Sequence, residues 1–192
     1  MKKTTNFLTG FLIQFLLSFL YRLIPIGNPL RLPYASPLMA FAMPFGKANI
    51  AWGFLFGFLN IFAINLFRSY ALGLEHFSFG YSALYGSCYG LIGVIAWLML
   101  RNREYKGYWR SLFGYLAVGF IGIIIYDTIT GIVIPCTSGT SFVQTTLMQI
   151  DWTLKNSLWN LAFIPLAPLV ERWIAGNKHL EFGALAAQKK AA

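Results

Sequence analysis

Charged residues are scarce in this 192-residue sequence: only 11% are Asp, Glu, Lys or Arg, whereas 57% are hydrophobic. A soluble domain carries about a quarter charged residues, and a chain of this size still needs a wetted surface. Lipid in place of water as the outer solvent explains the shortfall. The 18 Phe, 10 Tyr and 6 Trp fit lipid-facing helices with interfacial aromatic belts. The composition therefore predicts an integral membrane protein.

Cysteine and histidine are also rare, with two of each. Cys88 and Cys136 lie in or beside apolar segments, where a disulfide or two separate thiols are both possible. His76 and His179 fall in a loop and in the tail, so they form no metal-ligand set and we expect no cofactor. The chain also lacks a Walker motif, a G-x-S-x-G motif and paired intramembrane carboxylates. We therefore expect no enzymatic activity.

Acidic residues are few, since 6 Asp and Glu face 15 Lys and Arg and leave a formal net charge of +9. In a soluble protein this balance would suggest nucleic acid. Here the basic residues fall in short connections between apolar runs. We therefore interpret them as a topology signal and expect no nucleic-acid binding.

Long hydrophobic runs are abundant, and a membrane-spanning helix needs about 20 mostly apolar residues. Four runs reach this length: 49–68, 80–100, 111–134 and 152–174. A fifth run, 7–25, is nearly as long. A shorter stretch, 35–46, contains Pro37 and Pro44 and would cover only about 18 Å of a hydrocarbon core of ~30 Å. We predict an all-α bundle of about six transmembrane helices in one domain, residues 1–176, with a short or re-entrant second helix. Residues 177–192 are predicted to be a poorly ordered cytoplasmic tail.

The basic residues predict the orientation of this bundle. With six crossings and a cytoplasmic N-terminus, the inside receives Lys2, Lys3, Lys47, the basic 101–110 loop and Arg172. The outside receives few basic residues, and the long 135–151 connection contains none. This pattern obeys the positive-inside rule and predicts that both termini are cytoplasmic.

Polar residues within the predicted helices concentrate in the outer half of the bundle. Asp127 costs at least ~2.5 kcal/mol when it faces lipid, so it should face the interior, with Lys155 or Arg22 as its partner. The predicted solute-binding residues are Asp127, Trp152, Asn156, Trp159, Asn160, Asn65 and Arg22. Of these, Trp152, Asn156 and Asn160 recur every four residues and should share one helix face. The alternative is that these groups only tie helices together by hydrogen bonds.

Small residues predict where helices approach closely. The faces concerned are Gly53/Gly57, Gly86/Gly90, and the stripe of Tyr115, Gly119, Gly122 and Tyr126. On the first helix, Gly10, Gln14 and Ser18 form a stripe that is either internal packing or a docking face for another membrane subunit.

Three stretches carry a family resemblance. They are Tyr21-Arg22-Leu23-Ile24-Pro25 with Asn28-Pro29, Ile125-Tyr126-Asp127-Thr128-Ile129-Thr130-Gly131, and Trp152-Thr153-Leu154-Lys155-Asn156-Ser157-Leu158-Trp159-Asn160. With the six-helix pattern they resemble the substrate-binding (S) components of energy-coupling factor transporters. The resemblance implies a subunit of the prokaryotic plasma membrane that binds a vitamin-like small organic molecule. It also implies a transmembrane coupling subunit and two cytoplasmic ATPases as partners.

The first helix departs from that family. Its S components often carry Ala-x-x-x-Ala for docking, where this chain has Gly10, Gln14 and Ser18. The alternative hypothesis is a multi-span scaffold protein of cell-envelope morphogenesis without a small-molecule ligand.

Overall fold

The described part of the chain is helical throughout. A computed structural model describes residues 2–25, 28, 29, 36–73, 77–104 and 107–175. The helices are α1 Lys2–Leu23, α2 Leu38–Ala48, α3 Ile50–Tyr70, α4 Phe79–Leu100, α5 Tyr108–Thr137, α6 Phe142–Leu161 and α7 Ala167–Ala175. The predicted tail, 177–192, and most of the first loop lie outside the described residues. The all-α fold class is confirmed.

Three of these helices, α3, α4 and α5, are long and apolar enough to cross a membrane. The apolar part of α1, Phe7–Leu23, is shorter. The molecule is therefore a membrane protein, and its helices form one bundle, since every one of α1 to α7 packs against at least one other.

The second helix is as short as the sequence predicts. Its 11 residues span roughly 16 Å. Residues 38–46 are all buried, because α1, α3, α4, α5 and α7 surround the helix. Pro44 leaves one carbonyl without its intrahelical donor, which a membrane helix tolerates where protein rather than lipid covers it.

Glycines bring α2, α3 and α4 into backbone contact. A Cβ atom on Gly46 would collide with the backbone of Gly93, and one on Gly53 would collide with that of Gly46. On the next turns, a Cβ atom on Gly57 would lie 2.7 Å from the backbone of Tyr89. This confirms the predicted close approach of α3 and α4. It adds Gly46 and Gly93, which the sequence pattern did not single out.

The predicted 135–151 connection is wrong. Helix α5 continues through a π-helical turn, Ile129–Val133, and a last α-helical turn, Ile134–Thr137. Helix α6 begins at Phe142, so only four residues join the two helices. Gly139 has a φ of 91°, which lets the chain reverse within that turn.

The last predicted helix, 152–174, is also different. Helix α6 ends at Leu161, a 3₁₀ turn follows at Ile164–Leu166, and α7 begins at Ala167. Two prolines, Pro165 and Pro168, fall at this junction. Because neither has a backbone N–H, the predicted single helix is interrupted there and not merely bent.

The bundle has two distinct ends. The basic end, where α2, α4 and α7 finish, carries Lys47, Arg101, Arg103, Arg110 and Arg172. The hairpin end, where α1, α3 and α5 finish, carries Arg22 and Arg68 among the described residues. The basic residues are thus sorted along the bundle axis.

Candidate functional site

The candidate site is built around Asp127 of α5. This residue lies ten positions before the end of α5 at Thr137, or roughly 15 Å inside the hairpin end. Only 1% of it is exposed. Asn156 of α6 donates from Nδ2 to Asp127 Oδ1 at 2.9 Å. The second carboxyl oxygen, Oδ2, has no hydrogen-bond partner within the described part of the chain, although the Thr153 side chain lies against the carboxyl group.

A relay of buried amides leads from Asp127 to the start of α2. Asn160 Nδ2 donates to the Asn156 carbonyl at 2.8 Å and also contacts Asn156 Oδ1. Asn160 Oδ1 accepts from the backbone N–H of Ser36 at 3.0 Å, and Ser36 Oγ accepts from the N–H of Leu38 at 3.2 Å. The short helix therefore begins deep in the bundle, held by the residues that hold Asp127.

Tyrosines of α4 and one arginine of α1 lie close to Tyr126, the residue that precedes Asp127 in α5. The rings of Tyr89 and Tyr126 have centroids 4.4 Å apart, and the Arg22 guanidinium lies 5.5 Å from the centre of the Tyr89 ring. Tyr85 and Tyr81, one and two turns before Tyr89 in α4, have ring centroids 4.2 Å apart. Arg22, predicted for the site, contacts the Tyr89 ring, which in turn packs against Tyr126.

Sequence reasoning did not assign Tyr85 and Tyr89 to the site. A signal was present, because Tyr81, Tyr85 and Tyr89 recur every four residues, so each is a neighbour of the next along α4. Such a row of side chains leads from the hairpin end towards the depth of Asp127.

Two of the predicted residues lie elsewhere. Trp152 and Trp159 have 45% and 37% of their surfaces exposed, whereas Asn156 and Asn160 are buried. Each step of four residues overshoots one helical turn by about 40°, so Trp152 is rotated by about 80° from Asn160. The expectation that Trp152 shares the buried face of the two asparagines is wrong.

Lys155, expected as a partner of Asp127, lies on the surface of α6. Its Nζ is 2.5 Å from Asp151 Oδ2 in an exposed i,i+4 ion pair. The pair forms because residues four apart on a helix are neighbours, whereas Asn156, which binds Asp127, lies about 100° around α6 from Lys155.

The remaining predicted asparagine forms a separate tie. Asn65 Nδ2 donates to Ser82 Oγ at 3.3 Å and so links α3 to α4. Asn60 does the same for α3 and α1: its Nδ2 donates to the Phe15 carbonyl at 3.1 Å, and its Oδ1 accepts from Ser18 Oγ at 3.3 Å. These two asparagines connect helices, as the alternative interpretation expected of polar groups in general.

The stripe of Gly10, Gln14 and Ser18 lies on the buried face of α1. A Cβ atom on Gly10 would stand 2.7 Å from Ile174 Cγ2, and Ser18 bonds to Asn60. The stripe is therefore internal packing in this chain and not an exposed docking face. The exposed face of α1 consists of leucines instead, at positions 8, 12, 16 and 20.

A second buried carboxylate lies near the basic end and was missed from the sequence. Glu171 of α7 contacts Lys47 Nζ at 2.5 Å through Oε1, while Oε2 accepts from Ser111 Oγ and Tyr115 Oη, each at 3.0 Å. Its partners come from α2 and α5. A signal existed, since Glu171 is the single acidic residue in the apolar run 152–174.

Cys88 is buried and Cys136 is half-buried, and both are free thiols. The sequence allowed either a disulfide or two separate thiols, and the structure has two separate thiols.

Comparisons of the chain with family models, with curated proteins and with solved structures gave no match. The fold and the buried polar groups define an all-α membrane protein with a carboxylate, amide and tyrosine cluster inside its hairpin end.

Proposed function

We propose that the chain is the membrane-embedded solute-binding subunit of an uptake transporter of the energy-coupling factor type. In this proposal it captures a vitamin-like small organic molecule from outside the cell. The observation that carries it is the buried carboxyl group of Asp127, with one oxygen unpartnered among the described residues; the preceding residue, Tyr126, packs its ring against Tyr89. A buried oxygen without a partner is costly, and a bound donor would remove that cost.

The chemistry of the cluster supports a ligand with a flat ring and a hydrogen-bond donor. Tyrosine rings offer apolar faces, and a carboxylate accepts strongly from N–H or O–H groups. The Asn156–Asn160–Ser36 relay fixes the Asp127 side chain, so the acceptor is preorganised. The proposed ligand site around Asp127 does not include Trp152 and Trp159, which are exposed.

The sorting of basic residues supports the orientation. We propose six crossings, with both termini and the basic end in the cytoplasm of a prokaryotic cell and the hairpin end outside. The chain has no Walker motif, so ATP hydrolysis belongs to two cytoplasmic ATPases, and a transmembrane coupling subunit joins them to this chain. Because Gly10, Gln14 and Ser18 are buried, docking of that subunit would use other residues, such as the leucine face of α1.

The second candidate is the scaffold protein of cell-envelope morphogenesis. It is favoured by the Asn60–Ser18 and Asn65–Ser82 bonds, which link helices to one another. In that case the Asp127–Asn156 bond is a helix tie of the same kind.

One experiment separates the two functions. The chain is expressed in its native cell, purified in mild detergent, and the small molecules and proteins that accompany it are identified by mass spectrometry. The transport proposal expects ATPases together with a stoichiometric small molecule that the Asp127→Asn variant loses. Cell-wall or cell-division proteins, with no molecule that depends on Asp127, would establish the scaffold instead.

A further inference from the structure

The turn between α4 and α5 concentrates positive charge at the basic end of the bundle. Its segment, residues 101–110, has a formal charge of +3, since four basic side chains outnumber one acidic side chain, Glu104. The basic residues are Arg101, Arg103, Lys106 and Arg110. Lys106 lies outside the described residues, and the three arginines are all exposed. The segment is called the α4–α5 turn below.

The three arginines of the α4–α5 turn form no ion pair within the described part of the chain. The two described lysines of the bundle differ from them, because Lys47 is paired with Glu171 and Lys155 with Asp151. Glu104, the acidic residue of the turn, is exposed and is not paired with any of the three arginines. The described residues therefore leave the positive charge of the turn available to an anion from outside the chain.

Tryptophans accompany two of these arginines. Arg101 Cζ lies 3.8 Å from the centre of the Trp97 ring, one turn earlier in α4. A guanidinium group that stacks on a ring keeps its planar fork of N–H donors, which matches a phosphate group in two parallel hydrogen bonds. Trp109, 67% exposed, directly precedes Arg110 in the first turn of α5. Because exposed tryptophans of membrane proteins lie at head-group level, we expect both arginines at that level too.

An exposed apolar side chain lies next to each of the same two arginines, on the side of the membrane interior. Leu98 comes three residues before Arg101 and is 62% exposed, and Phe113 comes three residues after Arg110 and is 68% exposed. Residues three apart are neighbours on a helix surface, here about 4.5 Å further into the bundle. A phospholipid has the same order of groups, with its charge at the interface and its acyl chains towards the centre. An acidic protein in the aqueous phase would reach the arginines but not these two side chains.

We propose that the α4–α5 turn binds an anionic phospholipid, such as phosphatidylglycerol, from the leaflet at the basic end. The guanidinium groups of Arg101 and Arg110 bind its phosphate, and Arg103 adds positive charge. The acyl chains lie against Leu98 and Phe113. This lipid site goes beyond the proposed uptake function and does not depend on it.

The first test is native mass spectrometry of the whole chain in mild detergent. The chain is titrated with dioleoyl phosphatidylglycerol and, separately, with phosphatidylcholine that has the same acyl chains. Each arginine close to an anionic head group strengthens binding by about fivefold, so we expect one phosphatidylglycerol to bind at least about tenfold more tightly than phosphatidylcholine. Equal affinities for the two lipids would overturn the proposal.

Charge-conserving variants separate a phosphate site from a general attraction to positive charge. Arg101→Lys combined with Arg110→Lys keeps the net charge but removes both planar guanidinium groups, so the affinity for phosphatidylglycerol should fall by about fivefold. Arg172→Lys is the matched control, because it makes the same change at an exposed arginine of the basic end that belongs to α7. It should leave the affinity unchanged. If the double variant binds as tightly as the native chain, or if the control loses as much, the turn is not a phosphate site.

A phosphatidylglycerol that carries a photoreactive diazirine in one acyl chain locates the site in vesicles. After irradiation, peptide mass spectrometry should find the strongest labelling at Leu98 and Phe113, and the double variant should lose it. Labelling no stronger there than at the exposed leucines of α1 would contradict the site. A cytoplasmic protein that binds through the arginines, while the chain shows no preference for phosphatidylglycerol, would make the turn a protein-docking surface and overturn the lipid proposal.

Discussion

Asn156 donates to one oxygen of Asp127 at 2.9 Å, and the other oxygen of the same carboxyl group accepts no hydrogen bond from the described residues. The two residues belong to α5 and α6, which the short turn 138–141 makes antiparallel neighbours. This half-satisfied pair is both a helix tie and an acceptor with free capacity. The first role is structural and the second is functional, and they can be separated by substitution.

Replacing Asp127 by an asparagine should separate the structural role of this residue from its functional role. The amide oxygen of the new side chain still accepts from Asn156, so the folded yield and apparent Tm should stay close to those of the native chain. The charge and the free acceptor are lost, so a bound solute with a donor should be retained roughly tenfold less. The measurement is the amount of co-purified small molecule per protein, by mass spectrometry.

Asn65→Ala is the matched comparison. It removes a half-buried amide from the same half of the bundle and breaks the Asn65–Ser82 bond. We expect a stability loss of about 1 kcal/mol and unchanged solute retention. If Asn65→Ala lowers retention as much as Asp127→Asn does, the cluster around Asp127 is not a discrete site.

Asn160→Ala should behave differently from Asp127→Asn. It leaves the N–H of Ser36 without its acceptor and detaches the start of α2 from α6. The cost of unpaired buried groups is about 1–3 kcal/mol, so this variant should lose stability as well as any ligand. Detergent-solubilised protein heated in steps and assayed for monodispersity gives the apparent Tm. An unchanged Tm would mean that the relay does not hold α2.

The glycine contact between α2, α3 and α4 predicts a sharp contrast within one helix. Gly93→Ala inserts a methyl group between backbones that already touch, and overpacking of this kind costs about 1–3 kcal/mol or more. Gly80→Ala, in the first turn of the same helix, meets nothing within 4 Å. It should change stability by less than about 1 kcal/mol, in either direction. Similar losses of Tm in the two variants would contradict the close approach.

The Lys47–Glu171 pair predicts non-additive losses. Lys47→Met alone leaves a buried carboxylate with only the Ser111 and Tyr115 hydroxyl groups, and breaking such a pair costs about 3–5 kcal/mol. Adding Glu171→Leu removes the stranded charge and should restore part of the loss. A double-mutant cycle of apparent unfolding free energies measures the coupling. Strict additivity would show that the two side chains act independently.

Orientation can be read from thiol labelling. In a background with Cys88→Ala and Cys136→Ala, Ser138→Cys puts one thiol at the hairpin end and Asn102→Cys puts one at the basic end, both at exposed positions. A membrane-impermeant maleimide should label Ser138→Cys in intact cells and Asn102→Cys only after lysis. The reverse pattern would place the basic end outside and contradict the proposed uptake direction.

Much of the fold follows from the sequence because lipid imposes strict rules on length and polarity. The runs at 49–68 and 80–100 match α3 and α4 to within a few residues, since a helix that crosses lipid must be apolar along most of its length. The 135–151 hairpin was misread because its sequence is polar, and polarity distinguishes poorly between a loop and a helix that packs on a neighbour.

Only part of the site could be predicted from the sequence, and the reason is geometric. Burial of Asp127 and Asn156 follows from the cost of exposing polar groups to lipid. The faces of Trp152 and Gln14 depend on how each helix is rotated about its axis, and that rotation is set by partners distant in sequence. Glu171 was missed because its ion pair with Lys47 joins two helices 124 positions apart.

The short helix α2 has a consequence for how the protein is made. At roughly 16 Å the helix by itself covers only part of the hydrocarbon layer, and its polar start at Ser36 would have to lie in lipid if the helix were released alone. Only the single residue Asn49 separates it from α3. We therefore expect it to leave the translocon attached to α3 and to find its place last, after α4, α5 and α7 have formed its walls. Insertion of α2 then depends on the other helices, because they, and not lipid, surround it in the folded bundle.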